Sequence, residues 1–234
     1  MKNKINPLLI LKSIGVIFLY YSYFYIFIFI LRTIGLNLSN LSVTNKTILF
    51  FIIDITLIII LWLIYKNDLK KEFSIFKGNW KHIISENFKY WVFGLALMSI
   101  LNILITTITS SDIANNEEAV RGMIRTFPIY AMFSVCIVAP IVEEIVFRKT
   151  LWDIIKNKTI LIIISGLLFG LVHVIGSYET YIDLLYILPY GVFGSIFAYM
   201  YHKTKTVFTS MSMHFIHNSL LLIIYIISYF VIGG

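Results

Sequence analysis

Long apolar stretches separated by short polar segments organise this 234-residue chain. They run at about 8–31, 47–65, 90–110, 127–147, 159–177, 182–201 and 207–232. Each is near the roughly 20 residues that a helix needs to cross a bilayer. The pattern predicts an all-α polytopic bundle of about seven, possibly eight, transmembrane helices. It divides the chain into 1–126, three membrane helices with a basic cytoplasmic loop at 66–89, and 127–234, a core of spans four to seven; the whole is one integral membrane domain. That loop mixes lysines with aromatic residues, which predicts an interfacial helix. Gly166 and Gly170, and Gly191 and Gly194, have the small-residue spacing that lets helices pack closely. There is no internal repeat, low-complexity tract or soluble domain.

Composition agrees with this picture. The chain is 59% hydrophobic and only 13% charged, with mean hydropathy +0.88. The net charge of +7 reads as loop lysines of a membrane protein rather than a nucleic-acid surface. Fifteen of the nineteen Lys and Arg residues fall on one side of the predicted topology. Only Arg32, Lys46, Arg121 and Arg125 fall on the other. The positive-inside rule then places the N-terminus in the cytoplasm and the C-terminus outside, in a multi-pass protein of the plasma membrane. Lys2 and Lys4 precede a run too long for a signal-peptide core, with no A-x-A site after it, so this run reads as a first span. The single Cys136 sits inside an apolar stretch and reads as a small hydrophobe, with no disulfide framework. Abundant Ile, Lys, Asn, Tyr and Phe suggest an AT-rich genome.

Ionisable groups within spans are costly and mark function by default. Here they are Asp54, Glu143, Glu144, His173, His214 and His217, with Asn218 beside the last. Asp54 stands alone and reads as a helix–helix hydrogen-bonding group. Glu144 and Arg148 are i,i+4 in the order that favours pairing on a helix. Glu143 points about 100° away and lacks that partner. A carboxylate left unpaired in an apolar site is poised as a base. Phe169 and His173 share one helical face, as do His214 and Asn218, while His217 belongs less well to that face. A hairpin turning at Asn157–Lys158 sets Glu143 and His173 at nearly equal height. If residues 148–157 continue the fourth helix into the interface, the polar groups converge in the cytoplasmic half of the bilayer, with water entering from that side.

These residues resemble three motifs of the CAAX protease and bacteriocin-processing (CPBP, or Abi) family of intramembrane proteases, which includes type II CAAX prenyl endopeptidases. E-E-x-x-x-R reads "EEIVFR" at 143–148, F-x-x-x-H reads "FGLVH" at 169–173, and H-x-x-x-N reads "HFIHN" at 214–218. The resemblance covers about 127–222. One departure is Lys149, where family members commonly carry Gly; it is expected to affect local packing more than chemistry. The resemblance implies an all-α membrane fold of about eight helices or slightly fewer, and hydrolysis of peptide bonds within the membrane. It implies that Glu143 and His173 hold and deprotonate a water and that His214 and Asn218 stabilise the oxyanion. Glu144, Arg148 and Phe169 are the supporting residues. Amide hydrolysis needs such a base, and donors aimed at the developing negative charge.

No metal is expected. Asn218 is a poor zinc ligand but a good oxyanion donor, and no H-E-x-x-H occurs. The alternative is a zinc ion held by Glu143, His173 and His214. The expected partners are the bilayer and a hydrophobic peptide or membrane-protein substrate, not nucleic acid; the oligomeric state is not legible. The leading function is bacterial peptide processing or self-immunity to a bacteriocin. The alternatives are a non-catalytic immunity or scaffold protein and a proton-coupled carrier. The absence of paired repeats argues against the carrier.

Overall fold

The structure is a computed structural model that describes residues 6–109 and 114–229. Lys2 and Lys4 of the charge count, residue 110 of the third expected span and residues 230–232 of the last lie outside the described residues. Seven helices are described: α1 (Pro7–Thr33), α2 (Val43–Thr109), α3 (Asn115–Thr126), α4 (Pro128–Ile154), α5 (Lys158–Ile175), α6 (Ile187–Thr204) and α7 (Val207–Ile227). All but α3 belong to helical segments long and apolar enough to cross a membrane. The chain is a multi-pass, all-α membrane protein.

Seven spans were expected, and six such segments are found because α2 joins the second and third. The basic segment 66–89 is itself helical and makes the two continuous. At 67 residues, α2 would be about 100 Å long if straight, over three times the hydrocarbon core. It is not straight. Asn79 leaves helical geometry (φ −139°, ψ 22°), and contacts on either side show that the chain bends back there. Asp54 meets Tyr130 at the start of α4, while Ile105 packs with Val174 at the end of α5. These two ends lie together, because the short turn 155–157 makes α4 and α5 antiparallel. A straight helix would hold Asp54 and Ile105 about 75 Å apart. Arms 43–78 and 80–109 are therefore the two expected spans.

α5 and α6 pack most intimately, through the expected glycines. A Cβ on Gly166 would land on Ser195 Oγ and the Gly191 carbonyl, and one on Gly194 would meet Gly166 Cα and Phe169 Cβ. This close approach fixes Phe169 against α6 and, one turn on, His173.

The main core gathers Leu57, Leu61 and Tyr65 of α2, Val142, Ile145 and Phe147 of α4, and Phe169 of α5. A second cluster joins Trp91 to Phe193, Phe197 and Met200 of α6 and Met213 of α7. The polar site lies where these clusters meet.

Candidate active site

α4 carries both glutamates between two π-helical turns, Ser134–Val138 and Ile145–Thr150. Such turns expose backbone groups and recur at functional sites. In the first, the Ala139 N–H reaches back to the Ser134 carbonyl. In that register Val135 O would accept from residue 140, but Pro140 has no N–H. The orphaned carbonyl is taken by Asn218, whose Nδ2 donates to it at 2.8 Å. Pro140 thus creates the acceptor that ties α7 to α4. Asn218, expected as an oxyanion donor, has one amide hydrogen engaged this way and a second in hand.

Glu144 and Arg148 are fully buried. Arg148 Nη2 donates to Glu144 Oε1 at 3.0 Å, and Nε lies 3.0 Å from Oε2. Arg148 Nη1 donates to Ser165 Oγ at 3.1 Å, and Ser165 donates to the Phe147 carbonyl. The guanidinium also lies 4.7 Å over the Phe169 ring, which supports a charge away from water. Glu144 Oε1 takes one further bond, from His214 Nδ1 at 3.0 Å. This link was not foreseen: Glu144 serves Arg148 and orients the imidazole too. Its only sequence signal is the bare presence of both residues.

With Nδ1 on Glu144, His214 presents Nε2 to Glu143, whose Oε2 lies 3.9 Å away. That carboxylate oxygen is buried and makes no hydrogen bond among the described residues. The Glu143 side chain retains 14% exposure, against none for Glu144. The two neighbours are therefore separated as the helical geometry predicted. His173 Nδ1 lies 2.8 Å from the Phe169 carbonyl, which can only accept, so Nδ1 carries the proton and Nε2 is the free lone pair. The His173 ring stacks on Tyr190 with centroids 4.7 Å apart. Phe169 sits at the hub, touching Arg148, His173 and the edge of His214. The structure thus gathers Glu143, Glu144, Arg148, Phe169, His173 and His214 around one point, with Asn218 one turn from His214 on α7.

Glu143, His173 and His214 do not form a ligand set as placed. Among the described residues no group of three or more His, Cys, Asp or Glu is arranged to hold a metal ion. His217 lies apart, against the Phe193 ring at 3.9 Å, with Nδ1 unpartnered among the described residues. Asp54 accepts from Tyr130 at 2.9 Å, a bond between helices as expected.

One feature corrects the sequence reading, Lys149. It is buried in an ion-pair cluster with Asp153 at 3.2 Å, Asp68 at 3.3 Å and Glu72 at 3.6 Å. Lys12 of α1 adds a bond to Asp153 at 2.7 Å, and Glu72 accepts from the Val207 N–H at 2.8 Å. The residue ties α1, α2, α4 and the start of α7 together, well beyond local packing. The small depression that reaches His173 opens at the end opposite this cluster, beside Asn115, Asn116, Ser177 and Tyr186. Residues 148–154 do continue α4, but buried inside the bundle rather than in an open interface.

Comparison with known proteins points to membrane peptidases. Residues 125–220 match the family model described as type II CAAX prenyl endopeptidase Rce1-like. A putative membrane peptidase, YdiL, of Bacillus subtilis is 29% identical over 60% of this chain and 49% of its own length, so the match spans about half of that relative. The membrane-embedded CAAX protease MroQ of Staphylococcus aureus is 29% identical over 93% of this chain and 82% of its own. The UPF0177 protein YvdC of Lactococcus lactis is 26% identical over 90% and 80%. No solved structure matches significantly.

Proposed function

We propose that this chain, whose residues 125–220 match the Rce1-like CAAX endopeptidase model, is a membrane peptidase of the CAAX protease and bacteriocin-processing family that hydrolyses hydrophobic or membrane-tethered peptides using a water activated by Glu143. The observation that carries this reading is the contrast between adjacent carboxylates. Glu144 is ion-paired with the buried Arg148 at 3.0 Å and bonded by His214 Nδ1, whereas Glu143 Oε2 lies 3.9 Å from the His214 ring and makes no hydrogen bond among the described residues.

In the proposed reaction, water lies between Glu143 and the free Nε2 of His173. Glu143 takes a proton as the water oxygen bonds to the substrate carbonyl carbon. The resulting oxyanion is met by Nε2–H of a protonated His214, which Glu144 holds through Nδ1, and by the second amide hydrogen of Asn218. On collapse the C–N bond breaks, and Glu143 returns its proton to the leaving amine. Preorganised donors of this kind stabilise such intermediates strongly. The aromatic and aliphatic lining keeps the dielectric low, so each contact acts at greater strength. No step requires a metal. The substrate class follows from location: a scissile bond reaches this site only if the surrounding segment tolerates the bilayer. Maturation of a small bacterial peptide, or self-immunity to a bacteriocin, fits that class.

The test is incubation of the purified protein in liposomes with hydrophobic peptides, with products mapped by mass spectrometry. Discrete cleavage by the native protein, absent with Glu143→Ala, is expected. Identical products from both, or none from either across a broad peptide set, would reject the proposal.

A further inference from the structure

Far from the site, a cavity of about 820 Å³ lies between the end of α1 and the start of α2. Its lining divides by chemistry. Phe24 and Ile28 of α1, Phe50 of α2 and Phe127 between α3 and α4 form an apolar trough; Arg32 and Lys46 line it as well. Phe24, Ile28 and Arg32 follow one another at four-residue steps, so they stack along one face of α1. Lys46 and Phe50 do the same on α2. The turn at 34–42 holds both cations at the same edge of the bundle, and Phe24 lies about 12 Å along α1 from Arg32. A charged rim over an apolar trough of that depth has the shape of an amphiphile.

The cations also differ from their neighbours. Arg121 and Arg125 are paired with Glu117 and Glu118. Among the described residues neither Arg32 nor Lys46 meets an acidic side chain, although they share a cavity. A lipid phosphate would satisfy both charges at a membrane edge.

We infer that this cavity binds an anionic phospholipid, its phosphate between Arg32 and Lys46 and an acyl chain along Phe24, Ile28 and Phe50. Neutralising two nearby cations gives a preference over zwitterionic lipid of about fivefold for each. The lipid also bridges α1 to α2, filling a gap that the protein leaves open.

The experiment is native mass spectrometry of the protein from nanodiscs of equal phosphatidylglycerol and phosphatidylcholine. Retention of phosphatidylglycerol is expected for the native protein and for Arg121→Gln with Arg125→Gln. Loss of the preference is expected for Arg32→Gln with Lys46→Gln, whose melting midpoint in pure phosphatidylcholine should match the native value. Lys46→Gln alone, expected to reduce the preference partway, guards against misfolding of the double variant. An undiminished preference in Arg32→Gln with Lys46→Gln overturns the inference. So does equal retention of both lipids by the native protein, or displacement of the lipid by an acidic hydrophobic peptide at equal concentration.

Discussion

On α4, Arg148 and Lys149 are neighbours in sequence, yet they serve two regions that treat charge differently. Toward Glu143, the polar groups are few, and its Oε2 has the His214 ring at 3.9 Å and no hydrogen bond among the described residues. Toward Asp153, two lysines and three acids share their charge, and a backbone N–H adds to it. The first arrangement is unfavourable for stability and is what a base requires. The second holds four helices in register and leaves nothing to react. Buried ion pairs of this kind contribute little against an apolar replacement of both partners, but breaking one is severe. On the proposed mechanism the two regions divide the work: the cluster positions, and Glu143 reacts.

Variants on each side sharpen that division. The largest effect is expected from His214→Ala, which removes the imidazole between the two glutamates; peptide cleavage should fall by about 10²–10⁴-fold, read by product formation per folded molecule. Glu144→Gln strips the counter-ion from a fully buried Arg148 and should cost about 3–5 kcal/mol, read by chemical denaturation in detergent. Lys149→Met leaves Asp153 and Glu72 short of a cation. The partial exposure of Asp68 softens the loss, so about 2–3 kcal/mol is expected, with turnover per folded molecule within about twofold of native. A larger fall in turnover would show that the cluster reaches into the chemistry and would erase the distinction. The smallest effect belongs to Asp54→Asn, which keeps an acceptor for Tyr130; a stability change of about 1 kcal/mol or less and native turnover are expected.

The parts of this site that depend on helical spacing were legible from the sequence. The i,i+4 relations of Glu144 with Arg148, and of Phe169 with His173, became an ion pair and a shared ring contact. The glycine pairs became the α5–α6 contact. What escaped depends on partners distant in sequence or on a change of helical register. Lys149 finds its acids at positions 68, 72 and 153, and only the last lies within reach by periodicity. Asn218 meets Val135 because a π turn and Pro140 together free one carbonyl, which no 3.6-residue pattern reports. Gly78 and Asn79 mark the bend in the sequence, and a helix was expected over 66–89; that this helix runs unbroken into both neighbouring spans was not, because its lysines read as a separate loop segment.

The separation of Glu143 from Glu144 is the centre of this account, and one paired measurement addresses it directly. Glu143→Gln and Glu144→Gln should be purified side by side, and each assayed for peptide cleavage per folded molecule and for unfolding free energy. Glu143→Gln is expected to lose cleavage by about 10²–10⁴-fold while unfolding like the native protein. Glu144→Gln is expected to lose stability first, with cleavage reduced through a misplaced His214. Native-level cleavage by Glu143→Gln, or equal losses of stability in both variants, would contradict the assignment of one glutamate to chemistry and its neighbour to support.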